Sequence, residues 1–257
     1  MPHRLNKLLS VVLLSLALPC PALAIVNVLP APGSEATGLS GSATLKGNIK
    51  TGNTDLIDVG LATTTVYGSD DFQTSLKAAI NYGEKSDETY LYNSFEHLRI
   101  RYKLTDFITP EAFVQHQFNQ FTSIKFRGLV GLGAAFSLWS QDASHLVFGS
   151  TIMVEQEVAS GESIKFYADK IVSRWSNYLQ IDFKTDTNVT FSSTIFVQPQ
   201  ITDVKDIRVL NETGFSVKVR KNISLGSSFK LAYDSRPISE SVEKLDTATT
   251  IRLTLSY

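Results

Sequence analysis

The sequence predicts an all-β fold: a transmembrane, antiparallel, up-and-down β-barrel of about twelve strands, of the bacterial outer-membrane type. Three observations predict it. Apolar and polar residues alternate in blocks of about 8–14 residues over most of the chain, and clusters of turn residues separate the blocks. The last residues, Ile251, Leu253, Leu255 and Tyr257, alternate with Arg252, Thr254 and Ser256 and stop on an aromatic. The N-terminus reads as an export address.

That address comes first along the chain. Arg4 and Lys7 precede an apolar run from Leu8 to Leu18, followed by Pro19, Pro21 and Ala22-Leu23-Ala24. A charged start, a short apolar run and an A-x-A site describe a secretory signal peptide over 1–24. The run is about 11 residues, too short to span a bilayer. Cleavage after Ala24 would remove Cys20, the single cysteine, and leave a net charge of about −3. Residues 25–38 carry Pro30, Pro32 and Gly33 and read as a flexible periplasmic lead. The barrel is assigned to 39–257.

Strands are expected to start near Ser40, Leu56, Phe72, Tyr90, Phe107, Lys125, Leu146, Asp169, Asn188, Arg208, Ile223 and Thr247. The third block is the plainest: Phe72, Thr74, Leu76, Ala78, Ile80 and Tyr82 alternate with Gln73, Ser75, Lys77 and Asn81. In the sixth, Phe126, Gly128, Val130, Leu132, Ala134, Phe136 and Leu138 oppose Arg127, Gly131, Gly133 and Ser137. The eighth sets Trp175, Leu179, Ile181 and Phe183 against Arg174, Gln180 and Asp182; the eleventh sets Leu225, Phe229, Leu231 and Tyr233 against Lys230 and Asp234. Short connections, such as 68–71 and 220–222, tend to alternate with longer ones: 83–89, 159–167, 199–207 and 235–246. Outer-membrane barrels have that asymmetry, with short turns on the periplasmic side.

Composition agrees. The 257 residues are 43% apolar and 19% charged, with net charge −1. Near-neutral charge argues against a nucleic-acid partner. A lone cysteine excludes a disulfide framework and a cysteine-rich metal site. Mean hydropathy near zero excludes a helical membrane bundle but not a barrel, whose strands average a lipid face and a polar face.

Lipid therefore takes the apolar face, and the lumen takes the charges. Lys46, Lys77, Arg99, Arg101, Arg127, Glu155, Glu157, Arg174, Asp182, Glu212, Lys230 and Arg252 are expected to line it, with Lys50, Asp58 and Lys218. Ten bases face five acids in that set. Two readings stand: a ladder of ion pairs that fills a narrow barrel, or a narrow water-filled path with a bias toward anions. Tyr82, Tyr90, Tyr92, Tyr102, Phe107, Phe118, Trp139, Tyr233 and Tyr257 are expected at the membrane interfaces.

The order of several short motifs resembles a known family. They are Gly41 to Gly52 with its Thr51-Gly-Asn-Thr54 turn, Tyr102-Lys-Leu-Thr105, Phe121 to Gly133, Val154-Glu-Gln-Glu157 and Arg174-Trp-Ser-Asn-Tyr-Leu179. This order is similar to domain-of-unknown-function family 481, whose members are often labelled salt-induced outer membrane proteins. The resemblance covers about 40–257 and implies an outer-membrane barrel. It brings no catalytic residue to carry over. Many relatives end in Phe where this chain ends in Tyr257. The C-terminal strand resembles the signal read by the barrel-assembly machinery.

The expected function is non-enzymatic: envelope maintenance, or restricted passage of small solutes. The expected partners are outer-membrane lipid and, during biogenesis, the assembly machinery. No cofactor and no metal are expected, and no G-x-S-x-G, P-loop, H-E-x-x-H or EF-hand sequence occurs. Two alternatives remain. A barrel-embedded lipid hydrolase would use His116, which falls on the Ala112, Val114, Phe118 face. A secreted soluble periplasmic β-protein would need no lipid. His97, near Arg99 and Arg101, is expected in a polar lumen network, His145 beside a periplasmic turn, and Glu155 and Glu157 paired with Arg127 and Arg174.

Overall fold

The structure is a computed structural model and describes residues 37–51, 55–142, 144–159, 170–185, 188–220, 223–238 and 242–255. Twelve strands follow one another: β1 (Gly38–Lys50), β2 (Leu56–Gly68), β3 (Phe72–Lys85), β4 (Glu88–Tyr102), β5 (Ile108–Asn119), β6 (Ile124–Gln141), β7 (Ser144–Ala159), β8 (Lys170–Lys184), β9 (Val189–Pro199), β10 (Ile207–Arg220), β11 (Ile223–Asp234) and β12 (Leu245–Leu255). Each pairs antiparallel with the next, in one sheet of order β1 to β12. Every strand begins within two residues of where the alternation puts it. The signal peptide assigned to 1–24 and the terminal Tyr257 lie outside the described residues.

Period two decides the faces. On β3, Leu76 and Ile80 are exposed while Ser75 and Gly83 are buried. On β6, Val130, Leu132 and Leu138 are exposed and Arg127, Gly131 and Ala135 buried. On β8, Trp175, Ile181 and Phe183 are exposed and Arg174, Ser176, Tyr178 and Asp182 buried. The molecule is thus apolar outside and polar inside, with Leu132 at 70% exposure and Arg127 at 2%. An exposed apolar band of this extent marks a surface that meets lipid or another apolar partner.

The sheet curls, with the polar face concave. Arg208 on β10 reaches Glu155 on β7, three strands away, and Arg101 on β4 reaches Tyr178 on β8. The curl leaves a gap: among the described residues, no hydrogen bond joins β1 to β12. Every described residue of β1 after Gly38 is exposed.

The strand ends differ. At one end, here the turn end, β2–β3 and β6–β7 are joined by 69–71 and 142–143. At the other, the loop end, the connections 160–169, 200–206 and 235–244 are long. The expected loop at 83–89 is instead two extended strands closed by Ser86 and Asp87, with φ of 50° and 64°. Two successive positive φ values make the tight turn that matches strand twist. Aromatic clusters mark both rims. Tyr82, Tyr92 and Phe118 stack edge to face at the loop end, and Phe107, Phe136 and Phe148 cluster at the turn end. Tyr90 departs from its expected place. The irregular register beside Gly83 and Glu84 turns it inward, its ring over Gly83 and its hydroxyl donating to Asp58.

Candidate functional site: the charged interior

Charges on the concave face are grouped, not scattered. The larger group lies in the loop-end half. Arg208 is its centre: Nη1 donates to both Glu155 oxygens at 2.7 Å, Nη2 to Glu157 Oε2 at 2.9 Å, and Nε to Asp234 Oδ2 at 2.8 Å. Arg127 holds Glu157 from the other side at 2.7 Å and donates to Gln117 Oε1. Arg174 contacts Asp206 Oδ1 at 3.0 Å and Glu155 Oε2 at 3.5 Å. None of these seven charged side chains exceeds 8% exposure.

Three arginines and four carboxylates almost cancel, and β6, β7, β8, β10 and β11 all contribute. Arg208, Arg127, Glu155, Glu157 and Asp234 each have two or more hydrogen bonds, which is what a desolvated ion needs if Coulomb attraction is to offset lost hydration. Ile238, on the connection from β11 to β12, is buried at the same end and shares a cleft with Ile124 and Arg127.

The smaller group lies toward the turn end. Glu111 Oε2 accepts from Arg101 Nε at 3.2 Å and from Tyr178 Oη at 3.2 Å, and Arg99 Nη1 stands 2.8 Å away. Arg101 Nη2 also donates to Tyr178 Oη at 3.1 Å. Tyr178 spans the interior because its ring lies over Gly149, its cross-strand partner; any Cβ there would collide with the ring. His97 bonds Gln115 Oε1 through Nδ1 at 2.9 Å, and Arg99 lies over the Phe113 ring. Beyond this group a cavity of about 650 Å³ opens at the turn end, bordered by Gln73, Arg101, Lys103, Ser137 and His145. Ser140 Oγ lies 3.0 Å from His145 Nδ1.

The remaining expected lumen residues are placed as follows. Asp182 accepts from Gln180 and Ser192, each at 2.7 Å, and Lys230 pairs with Glu212 at 2.7 Å. Lys77 faces inward, half-buried, on β3. Lys46 and Lys50 occupy inward positions on β1 and are exposed; Lys218 is exposed on β10, and Asp58 accepts from Tyr90 and Asn48. The side chain of Arg252 and the terminal Tyr257 lie outside the described residues; Ile251 and Leu253 are exposed on β12. Glu111, Asp206 and Asp234 also lie on the concave side, as does Arg208, which narrows ten bases and five acids to eleven and eight. Asp206 escapes an alternation count because it sits in a connection.

His116 lies on the outer face at the loop-end rim, its Nδ1 2.6 Å from Glu96 Oε2 and its ring against Phe126. No group of three or more acidic, histidine or cysteine side chains that could hold a metal occurs among the described residues.

A family model described as "Protein of unknown function, DUF481" matches residues 43–257. The chain belongs to the DUF481 family. The match spans the whole twelve-stranded sheet from Ala43 onward, so the charged interior belongs to the DUF481 region. No curated protein matches. Among solved structures, this DUF481 chain is similar to a "Bacterial polysaccharide outer membrane secretin", with TM-score 0.43 and 11% identity, over 78% of this chain and 91% of that one. Family and fold make it an all-β DUF481 protein of twelve consecutive antiparallel strands.

Proposed function

We propose that this chain is a non-enzymatic barrel of the bacterial outer membrane, closed inside by its own ion pairs, with a role in envelope maintenance. The Arg208 network carries the reading. Arg208 alone binds three carboxylates contributed by β7 and β11, and Arg127 and Arg174 tie in β6 and β8. Side chains so engaged fill the loop-end interior between β6 and β11 with paired charge. The apolar exterior and the two aromatic rims support lipid as the surrounding medium. A signal peptide over 1–24 and recognition of the last strand by the assembly machinery belong to the same reading.

One observation favours a second reading, restricted passage of small solutes. The cavity at the turn end reaches Arg101, and passage would follow if the charged interior beyond it could be displaced. Lipid hydrolysis at His116 lacks such support: its recorded partners are Glu96 and the Phe126 ring, a pairing that also suits an interfacial histidine.

Fractionation and conductance test the proposal together. The chain should stay with outer membranes after high-salt and carbonate washes and need detergent for release. Purified and reconstituted in planar bilayers, it should give no sustained current. Release by salt alone would refute the location, and steady channels would replace closure with passage.

A further inference from the structure

β1 and β12 each present one unpaired edge, although pairing is continuous through the ten strands between them. In hydrocarbon an unsatisfied backbone N–H or C=O costs several kcal/mol, so a membrane-embedded edge must find a strand. We propose that β1 and β12 close on each other, antiparallel, in the register that sets Lys50 opposite Asp246. The inference rests on the membrane reading above, in which the barrel is closed, and adds the register of the seam.

Three observations select this register. The first is parity. On β1 the inward set is Ser40, Ser42, Thr44, Lys46, Asn48 and Lys50; on β12, Asp246, Ala248 and Thr250 lie on the inward face. A slip of one residue would turn one strand inside out, so only every second register is open.

The second is charge. Lys50 ends β1 at the loop end, Asp246 begins β12 at the same end, and neither has an ion-pair partner among the described residues. Opposite charges directly across two strands favour that pairing.

The third is the stagger of the whole ring. A row of cross-strand partners starts at Gly38 and runs through Gly68, Gln73, Arg101, Glu111, Gly133, Thr151 and Ser176. It continues through Gln198, Arg208 and Asp234 and meets Lys244, just before β12. With Lys50 opposite Asp246, this row returns on the line of β1 at a stagger of 14 residues from Gly38, two positions past the strand's last residue. At about 3.3 Å per residue and about 4.7 Å between strands, that stagger tilts twelve strands by roughly 40°, inside the range of about 35–45° found in barrels. Pairing Asn48 with Asp246 would tilt them by about 35°, at the edge of that range, and pairing Lys46 with Asp246 by only about 30°; the charge pair decides between the first two.

Disulfide trapping in outer membranes from cells producing the full chain tests the proposal. The sequence has one cysteine, Cys20, so the single variants control for it. The proposed register makes Lys46 and Thr250 direct partners, about 4.5–5.5 Å apart at Cα, within disulfide reach. The pair Lys46→Cys with Thr250→Cys should oxidise to an intramolecular cross-link. Its yield should be several-fold above Lys46→Cys with Ala248→Cys and Asn48→Cys with Thr250→Cys, which report the neighbouring registers. Ser228→Cys with Thr250→Cys, partners within the existing sheet, reports correct folding of β12 in the same membranes.

A higher yield in either neighbouring register overturns the register. A cross-linked dimer shows that a second copy occupies the edges and overturns closure. A Ser228–Thr250 cross-link with none across the seam leaves the edges apart and overturns closure as well. Failure of the membrane reading would look different, with the chain leaving the membrane in the carbonate wash.

Discussion

Two sectors of one sheet are held in different ways. Between β4 and β11 the inward face carries buried arginines and carboxylates, and some of them bind partners several strands away. In β1, β2 and β12 the inward positions are mostly Ser, Thr, Gly and Ala, and β1 is exposed along its length. The first sector carries its own interior and keeps its curl without closure. The second has backbone pairing and an apolar outer face, and becomes a wall only when its edge finds a strand. Burial inside one half of the sheet thus comes from its arginines and carboxylates, while the membrane reading proposed above leaves closure of the other half to the lipid that would force its edges together.

The largest test of this contrast is Arg208→Ala. It leaves Glu155, Glu157 and Asp234 short of a shared cation, and breaking a buried network of this kind costs about 3–5 kcal/mol. Lys50→Ala, in the exposed sector, should cost well under about 1 kcal/mol. Urea unfolding in detergent micelles, followed by the fluorescence of Trp139 and Trp175, measures both; equal losses would erase the distinction.

Leu132→Arg puts a charge on the outer face of β6. Near mid-bilayer it should cost about 2–4 kcal/mol in lipid vesicles. The same variant should fold normally if that face met water, so comparing urea midpoints in vesicles tells the two media apart.

Tyr178→Phe removes the hydroxyl that accepts from Arg101 and donates to Glu111. A loss of about 1–3 kcal/mol is expected. Gly149→Val should move the Tyr178 ring off the β7 wall; near-ultraviolet circular dichroism reports it, and an unchanged spectrum would refute the stacking.

The smallest effect lies outside the strands. Arg236 pairs with Asp203 Oδ2 at 2.8 Å, linking two loop-end connections, and its hydrogen bond holds the Asp203 carboxyl below the usual aspartate range. A lowered folded-state value means the contact stabilises the protein above the unfolded aspartate range, and the benefit fades as pH falls through the folded value. Arg236→Ala should raise the Asp203 titration midpoint, read by NMR, and leave the midpoint of unfolding almost unchanged.

Much of the fold was legible because period two is a local signal. The faces of β3 and β6 follow directly from the order of Phe72 to Tyr82 and of Phe126 to Leu138. Tyr90 was misplaced because a register irregularity changes parity without changing composition. The interior was half legible. Arg127, Arg174, Glu155 and Glu157 belong to obvious strands, and their pairing follows from adjacent registers. Arg208 and its partners are set by curvature, which brings β10 to β7, and no sequence spacing encodes that distance. Asp206 shows the same limit, since a connection residue supplies the carboxylate that Arg174 binds.

Single-channel recording of the wild type beside Arg208→Ala tests the central claim most directly, with the same preparations at the same salt. The account predicts a silent wild type and a variant with discrete openings, because Glu155 and Glu157 lose the cation that draws them across the interior. A wild type that conducts as freely as the variant would contradict it.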